Sequence, residues 1–179
     1  MTILRVDGLS KRYPAFCLRD VSFSIEEGRV MGLIGRNGAG KTTTIKSILR
    51  LVRPDGGTVQ FLGKPLDMDA SALRREAGYV SGDLCYYPRK RLSQLTAVTK
   101  SFYPSWDDKK YEALLHRFSL DETKRVCELS AGMKVKYQLA CALSHGAKLL
   151  ILDEPTSGLD PVSRDDLLDL LRTLCEQGG

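Results

Sequence analysis

The sequence lacks the patterns that mark secreted, zinc-binding and membrane-spanning proteins. Its five cysteines are odd in number and irregularly spaced, and no Cys-x-x-Cys pair occurs. This argues against a disulfide framework or a zinc site and favours reduced thiols in a cytosolic protein. No apolar run approaches the roughly 20 residues that cross a bilayer, and the first residues contain no apolar signal-peptide core. A role at a membrane would therefore require another chain as the anchor.

Charge of one sign is not strongly in excess either. Lys and Arg number 27 against 22 Asp and Glu, which gives a formal net charge of +5. A phosphate-binding protein, or one working near an anionic membrane, can carry this charge without touching nucleic acid. Short basic clusters such as Arg89-Lys90-Arg91 are interpreted as a solvated face, so no direct nucleic-acid partner is expected. The 179 residues suffice for one domain with a substantial core.

The most specific motif present is the stretch from Gly35 to Thr42. It matches the phosphate-binding pattern Gly-x-x-x-x-Gly-Lys-Ser/Thr at every fixed position. The apolar run 30–34 before it predicts a buried strand. The apolar residues at 45, 48, 49 and 52 predict a helix over 43–52. The motif is therefore expected on a strand-to-helix turn.

The residue types of this stretch predict nucleoside triphosphate binding. Gly35, Gly38 and Gly40 permit positive φ and close approach of the backbone, so that successive N–H groups form an anion site at a helix N-terminus. Lys41 supplies a charge for the β- and γ-phosphates, and the Thr42 hydroxyl supplies a ligand for Mg²⁺. The candidate nucleotide-binding residues here are Gly35, Asn37, Gly38, Ala39, Gly40, Lys41, Thr42 and Thr43.

A second candidate site follows the apolar run Leu149–Leu152, which predicts a fully buried strand. Asp153 and Glu154 stand at its carboxyl end, where open α/β sheets bind ligands. Asp153 is predicted to hold Mg²⁺, and Glu154 to activate a water for attack on the γ-phosphate. Asp160 and Pro161 are predicted as N-cap and first residue of a last helix. Its predicted buried stripe is Leu167, Leu168, Leu171 and Leu174.

The rest of the chain predicts two kinds of structure. The N-terminal part shows strand patterns of antiparallel character, while residues 85–145 are mostly helical. Ser105 is a candidate N-cap for a helix in that insertion, with Tyr111, Leu114, Leu115 and Phe118 on its apolar face. We therefore predict a core formed by 1–84 and 146–179 and a helical subdomain at 85–145. Tyr13 lies between the first strands, either stacking on a base or packing on the sheet.

With these residues in view, the chain resembles the ATP-binding subunits of ABC transporters over essentially its whole length. Four motifs occur in that family's order: Walker A at 35–42, a signature at 129–133, Walker B at 149–153 and a D-loop at 157–160. The signature Leu-Ser-Ala-Gly-Met is similar to the family's Leu-Ser-Gly-Gly-Gln. The resemblance implies an α/β fold, a RecA-like P-loop NTPase core of mixed sheet and helices with an N-terminal antiparallel β part and an inserted α-helical subdomain. Tyr13 matches the family's adenine-stacking aromatic.

The resemblance also implies a mechanism. Two copies, identical or similar, close head to tail over two ATP molecules with Mg²⁺. Ser130 and the N–H groups of Ala131 and Gly132 bind the γ-phosphate in trans, while Lys41 and Glu154 act in catalysis. The chain is then a cytoplasmic protein, peripheral on the inner face of the membrane through a permease subunit. Asp160 is its D-loop residue.

Two departures from the family pattern affect these expectations. The loop after Tyr79-Val80 lacks the family's glutamine and has Ser81-Gly82-Asp83, which leaves Asp83 as its metal candidate. This replacement and the Leu-Ser-x-Gly-Met signature resemble exporter-type subunits, so export is expected. No histidine follows Walker B; His116 and His145 are interpreted as structural. We therefore expect a C-terminally truncated chain that hydrolyses ATP weakly.

Two other functions are weighed. A non-transport ABC protein acting on a ribosome or DNA usually carries two cassettes or a long coiled-coil insertion. This chain shows one cassette and about sixty residues between its core halves, which favours transport. A binding-only regulatory cassette is opposed by intact Lys41, Asp153 and Glu154 and supported by the missing histidine.

Overall fold

The computed structural model describes residues 1–66, 70–82 and 87–176. These residues form two compact units. The first is Met1–Arg74 with the end of the chain from Cys175, and the second is Arg75–Leu174. The predicted metal candidate Asp83 lies outside the described residues. The subdomain bounds predicted from the sequence, 1–84 with 146–179 and 85–145, remain a prediction.

The first unit is built on an antiparallel sheet with strand order β2-β1-β3-β4. The long hairpin of the first two strands places Tyr13 opposite Phe16 at its tip. Buried side chains on the sheet and on helix α1 form its core, including Leu4, Val6 and Ile48. The elements are β1 (Thr2–Tyr13), β2 (Phe16–Glu26), α1 (Lys41–Ile48), β3 (Gly56–Phe61) and β4 (Lys64–Pro65).

The predicted strand at 30–34 is wrong. Residues 29–36 have no regular secondary structure, and the side chains of Val30 and Ile34 are 77% and 97% exposed. An apolar run becomes a strand only where a neighbour supplies ladder hydrogen bonds. The strand pairs among the described residues are all formed by other segments. Helix α1 does follow the phosphate loop as predicted, but ends at Ile48.

The second unit combines a parallel pair of strands with helices. Strand β5 (Ala77–Ser81) follows helix α2 (Ser71–Glu76), in which the first unit ends. It pairs with β6 (Leu149–Asp153) so that Ser81 faces Asp153. One apolar cluster joins both strands to the helices, with Leu92, Val135 and Leu167 among its buried members. The remaining elements are α3 (Leu92–Ser101), α4 (Asp108–Arg117), a 3₁₀ turn (Val126–Glu128), α5 (Ala131–Ser144) and α6 (Pro161–Glu176).

Three local predictions in this unit need correction. The N-cap of α4 is Asp107, whose carboxylate accepts from Lys110 N at 3.0 Å; Ser105 Oγ instead donates to His145 O at 2.8 Å. On α6 the buried residues are Leu167 and Leu170, while Leu168 is exposed. The apolar stripe of α6 thus differs from the prediction at one position. Residues 167, 170, 171 and 174 recur at helical spacing and lie on one face of the helix. In β6 only Leu149 is fully buried, and residues 150–152 are half-buried.

The sequence predicts reduced cysteines and no membrane-spanning helix, and the described residues bear on both predictions. Cys17, Cys127, Cys141 and Cys175 are free thiols, and the fifth cysteine lies outside the described residues. None of the helices in the described ranges is both long enough and apolar enough to cross a bilayer.

Candidate active site

The phosphate loop owes its shape to two glycines in the left-handed region. Gly38 has φ 83° and Gly40 has φ 97°, and Gly40 is the N-cap of α1. A non-glycine residue rarely adopts this conformation because its Cβ crowds the following carbonyl. Gly35 does not have positive φ, so that part of the prediction is wrong. Its place is explained by close packing, since a Cβ there would lie 3.0 Å from Ala39 Cβ.

Gly40 is further constrained by the strand beneath it. A Cβ at this position would lie 2.8 Å from Phe16 Cζ and 2.9 Å from Leu18 Cδ1, both on β2. Separations below 3.0 Å force a neighbour to move. The start of α1 therefore lies directly against the hairpin.

The Lys41 side chain folds back across the loop. Its Nζ donates to Gly35 O at 2.8 Å and to Arg36 O at 3.2 Å, and Ala39 N donates to Arg36 O at 3.0 Å. The first turn of α1 carries no acidic residue that would oppose the positive end of the helix dipole. A cationic ammonium group and a helix N-terminus thus converge at one place, which fits a phosphate group.

Tyr13 lies near this loop within the same unit. Its ring is 39% exposed at the hairpin tip and stacks on Phe16, with ring centroids 6.5 Å apart and planes 29° from parallel. Lys11 Nζ lies 5.7 Å from the Tyr13 ring centroid. Because Phe16 also lies against Gly40, the hairpin tip and the phosphate loop are adjacent. Sequence reasoning missed Phe16; the short connection between Tyr13 and Phe16 was the available signal.

In the second unit, the end of β5 lies against Asp153 and Glu154. Tyr79 Oη donates to Asp153 Oδ2 at 3.3 Å, and Gly82 N donates to Asp153 O at 3.1 Å. Burial, together with the adjacent Asp153 carboxylate, raises the pKa of Tyr79 to about 12, so its phenol remains a hydrogen-bond donor at neutral pH. Sequence reasoning missed Tyr79, because strand pairing, not local sequence, brings it to Asp153.

Glu154 has an uncommon backbone conformation. Its φ is 49°, which lies in the left-handed region that non-glycine residues seldom adopt. The conformation starts a turn in which Ser157 N donates to Glu154 O at 3.0 Å. A strained residue of this kind, held at the end of a strand, is a common feature of functional sites.

The signature residues begin helix α5. Ser130 is its N-cap, with Oγ accepting from Met133 N at 3.2 Å. Ala131 and Gly132 are the first helical residues, and amides at such positions lack intrahelical partners. A Cβ at Gly132 would lie 3.6 Å from both Leu159 and Ser163, so the signature adjoins the D-loop and the start of α6.

Asp160 is confirmed as the N-cap of α6. Its Oδ1 accepts from Ser163 N at 3.0 Å and its Oδ2 accepts from Ser163 Oγ at 2.6 Å. The Ser163 side-chain hydrogen bond lowers the pKa of Asp160 below its usual value. In this structure the carboxylate therefore fixes the start of a helix.

The residues predicted for Mg²⁺ are chemically suited to it. Thr42 offers a hydroxyl and Asp153 a carboxylate, and Mg²⁺ prefers such oxygen ligands together with waters and phosphate oxygens. Within the described ranges no three His, Cys, Asp or Glu side chains gather as a metal site.

Comparison with known proteins places the chain in a family. The profile of the family described as ABC transporter matches residues 18–157. A Nod factor export ATP-binding protein I from Burkholderia orbicola is 36% identical over 99% of this chain and 61% of the relative. Phosphonates import ATP-binding protein PhnC 1 from Rhodopseudomonas palustris is 33% identical over 99% of this chain and 70% of the relative. The chain belongs to the ABC transporter family.

A solved ATP-binding subunit of an ABC transporter has the same fold. It matches with a TM-score of 0.83 and 33% identity over 99% of this chain and 76% of the solved chain. The predicted P-loop NTPase fold with antiparallel and parallel sheets is thereby confirmed. The chain spans 61% of the length of the Burkholderia relative and 70% of that of the Rhodopseudomonas relative. One relative is named for export and another for import, so their names do not decide the direction of transport.

Proposed function

We propose that this chain binds Mg²⁺-ATP and hydrolyses it as the ATP-binding subunit of a transporter. The observation that carries the proposal is the phosphate loop, in which a left-handed Gly40 opens α1 and Lys41 lies across the loop. A triphosphate bound here accepts hydrogen bonds from the backbone N–H groups and from Lys41 Nζ. Lys41 then donates to phosphate oxygens in place of the loop carbonyls. Tyr13 stacks on the adenine at the hairpin tip.

For hydrolysis we assign separate roles to the residues at the end of β6. Thr42 and Asp153 are the residues that would hold Mg²⁺, which would neutralise charge on the β- and γ-phosphates. Glu154 orients a water for in-line attack on the γ-phosphate. The hydrogen bond from Tyr79 fixes the rotamer of Asp153.

We further propose that two such subunits close head to tail on ATP. Ser130 and the amides of Ala131 and Gly132 then bind the γ-phosphate of the partner's nucleotide, because a helix N-terminus favours an anion. Asp160 accepts from Ser163 N, and Ser163 lies beside Gly132, so we propose that the D-loop adjoins that contact. The partner is a second copy of this chain or a similar subunit.

We propose that this closure drives a conformational change in a membrane permease. Binding to the permease would hold the chain on the inner face of the cell membrane. Support comes from the family and from relatives that are named as transport proteins. We propose outward transport, on the basis of the Leu-Ser-Ala-Gly-Met signature and the loop without glutamine. Reconstitution with the permease into vesicles tests direction, since accumulation of substrate on the side of the ATP-binding subunit would contradict export.

A set of variants tests ATP binding and hydrolysis separately. Lys41→Ala should weaken ATP binding at least tenfold, because it removes a charged hydrogen-bond donor from the phosphate site. Glu154→Gln should keep ATP binding and lose most phosphate release. The matched control is Lys46→Ala, an exposed lysine on the same helix. ATP binding by Lys41→Ala equal to that of Lys46→Ala would contradict the proposal.

A further inference from the structure

Gln138 makes an unusual contact from helix α5 to strand β5. Its side chain is 9% exposed. Its Nε2 donates to Ser81 O at 2.8 Å, and its Oε1 accepts from Ser81 N at 3.2 Å. One carboxamide thus binds both backbone polar groups of a single residue that lies 57 positions away.

The geometry of the parallel pair explains why a glutamine suits this place. Gly82 N donates toward β6, to Asp153 O at 3.1 Å. Because successive residues of a strand direct their backbone groups to opposite sides, Ser81 N and O point away from β6. A carboxamide has the same donor and acceptor as a peptide group. Gln138 therefore satisfies Ser81 as a further strand would.

The segment that Gln138 binds lies directly on the carboxylate end of β6. A Cβ at Gly82 would lie 2.7 Å from Glu154 O, so only glycine allows this approach without displacement. Glu154 holds its left-handed conformation, φ 49°, at the same contact. The backbone at 81–82 is thus packed against both Asp153 and Glu154, and its position is set on its other side by Gln138.

We propose that Gln138 is a positioning residue for catalysis. It holds Ser81 and Gly82 against the backbone of Glu154 and so links α5, whose N-cap is the signature serine, to the water-activating carboxylate. The loop after β5 has no glutamine of its own; a glutamine from α5 reaches the backbone at its start. This inference rests on the proposed ATPase function.

The test compares Gln138→Leu with the matched control Gln94→Leu. Gln94 is an exposed glutamine of the same unit, and its Oε1 accepts from Arg91 N at 3.1 Å. Gln94→Leu therefore also removes one hydrogen bond between a side chain and the backbone. Gln138→Glu replaces the Nε2 donor to Ser81 O and Lys134 O by a carboxylate oxygen while keeping an acceptor for Ser81 N, and it serves if the leucine variant does not fold. Amide hydrogen exchange at Ser81 is measured together with kcat and KM for ATP.

For Gln138→Leu we expect Ser81 exchange to rise at least tenfold and kcat to fall at least tenfold, with KM for ATP within about twofold of wild type. Gln94→Leu should change none of these by more than about twofold. Unchanged Ser81 exchange or unchanged kcat in both Gln138 variants would overturn the inference. A wild-type chain without ATP turnover would instead contradict the proposed function, and Ser81 exchange would still decide whether Gln138 holds this segment.

Discussion

Replacing Gly40 by alanine should destabilise the protein more than the same replacement at Gly38 or Gly28, two left-handed glycines with open surroundings. At Gly40 the new methyl group meets two obstacles. The backbone has φ 97°, and the Cβ would lie 2.8 Å from Phe16 and 2.9 Å from Leu18. Both atoms are at the ends of side chains on β2, so the Phe16 ring and the Leu18 side chain must leave their packed positions to make room.

The expected magnitude follows from these two contributions. A left-handed backbone costs alanine about 1–2 kcal/mol, partly offset by about 0.4–1 kcal/mol from a less flexible unfolded chain. Overpacking against Phe16 and Leu18 adds about 1–3 kcal/mol. The free energy of unfolding should therefore fall by about 2–4 kcal/mol. For a chain of this size that lowers the Tm by roughly 5–15 °C.

Two glycines with open surroundings serve as controls. Gly38 in the same loop has φ 83° and Gly28 outside it has φ 68°, and a Cβ at either would meet nothing within 4 Å. Alanine there should cost about 1 kcal/mol or less, the net of the two backbone effects. Urea unfolding and ATP binding are measured for all three variants. A Gly40→Ala protein as stable as Gly28→Ala, with unchanged ATP affinity, would refute the reasoning.

Two further predictions concern the second unit. Thr96→Val removes the buried hydroxyl that is hydrogen-bonded to Tyr111 Oη at 2.7 Å and to Tyr137 Oη at 3.1 Å. It should lower the free energy of unfolding by about 1–3 kcal/mol in urea titrations. A loss below about 0.5 kcal/mol would contradict this prediction. His145 is 4% exposed and stacks on Tyr103, and burial lowers its pKa below 6.5. Because the folded-state pKa of His145 is depressed, the free energy of unfolding should fall as pH falls below 6.5. His145→Phe keeps the ring stack and should lose less of this free energy between pH 7 and 5. Equal losses in the two proteins would refute this prediction.

The local parts of the site could be predicted from the sequence. The phosphate loop follows from glycines and a lysine within eight residues, and its conformation is confirmed at Gly38 and Gly40. The Asp160 cap needs only the side chain and the next turn of helix. Both are short-range features, in which the residue types alone determine which hydrogen bonds can form.

The features that depend on distant partners could not be predicted. The contact of Tyr79 with Asp153 joins residues 74 positions apart, and that of Gln138 with Ser81 spans 57. Periodicity identifies strands but not which strand or helix lies beside them. The segment 30–34 illustrates the same limit, because its apolar pattern alone does not provide a pairing partner.

The central claim, ATP-dependent closure through Ser130, is tested most directly by the solution mass of Glu154→Gln with and without Mg²⁺-ATP. Blocking the water-activating step should trap a dimer that appears only with Mg²⁺-ATP. Adding Ser130→Arg should abolish that dimer while ATP binding persists, because the arginine fills the anion site at the start of α5. A Glu154→Gln protein that binds ATP yet stays a monomer, or a dimer insensitive to Ser130→Arg, would contradict the account.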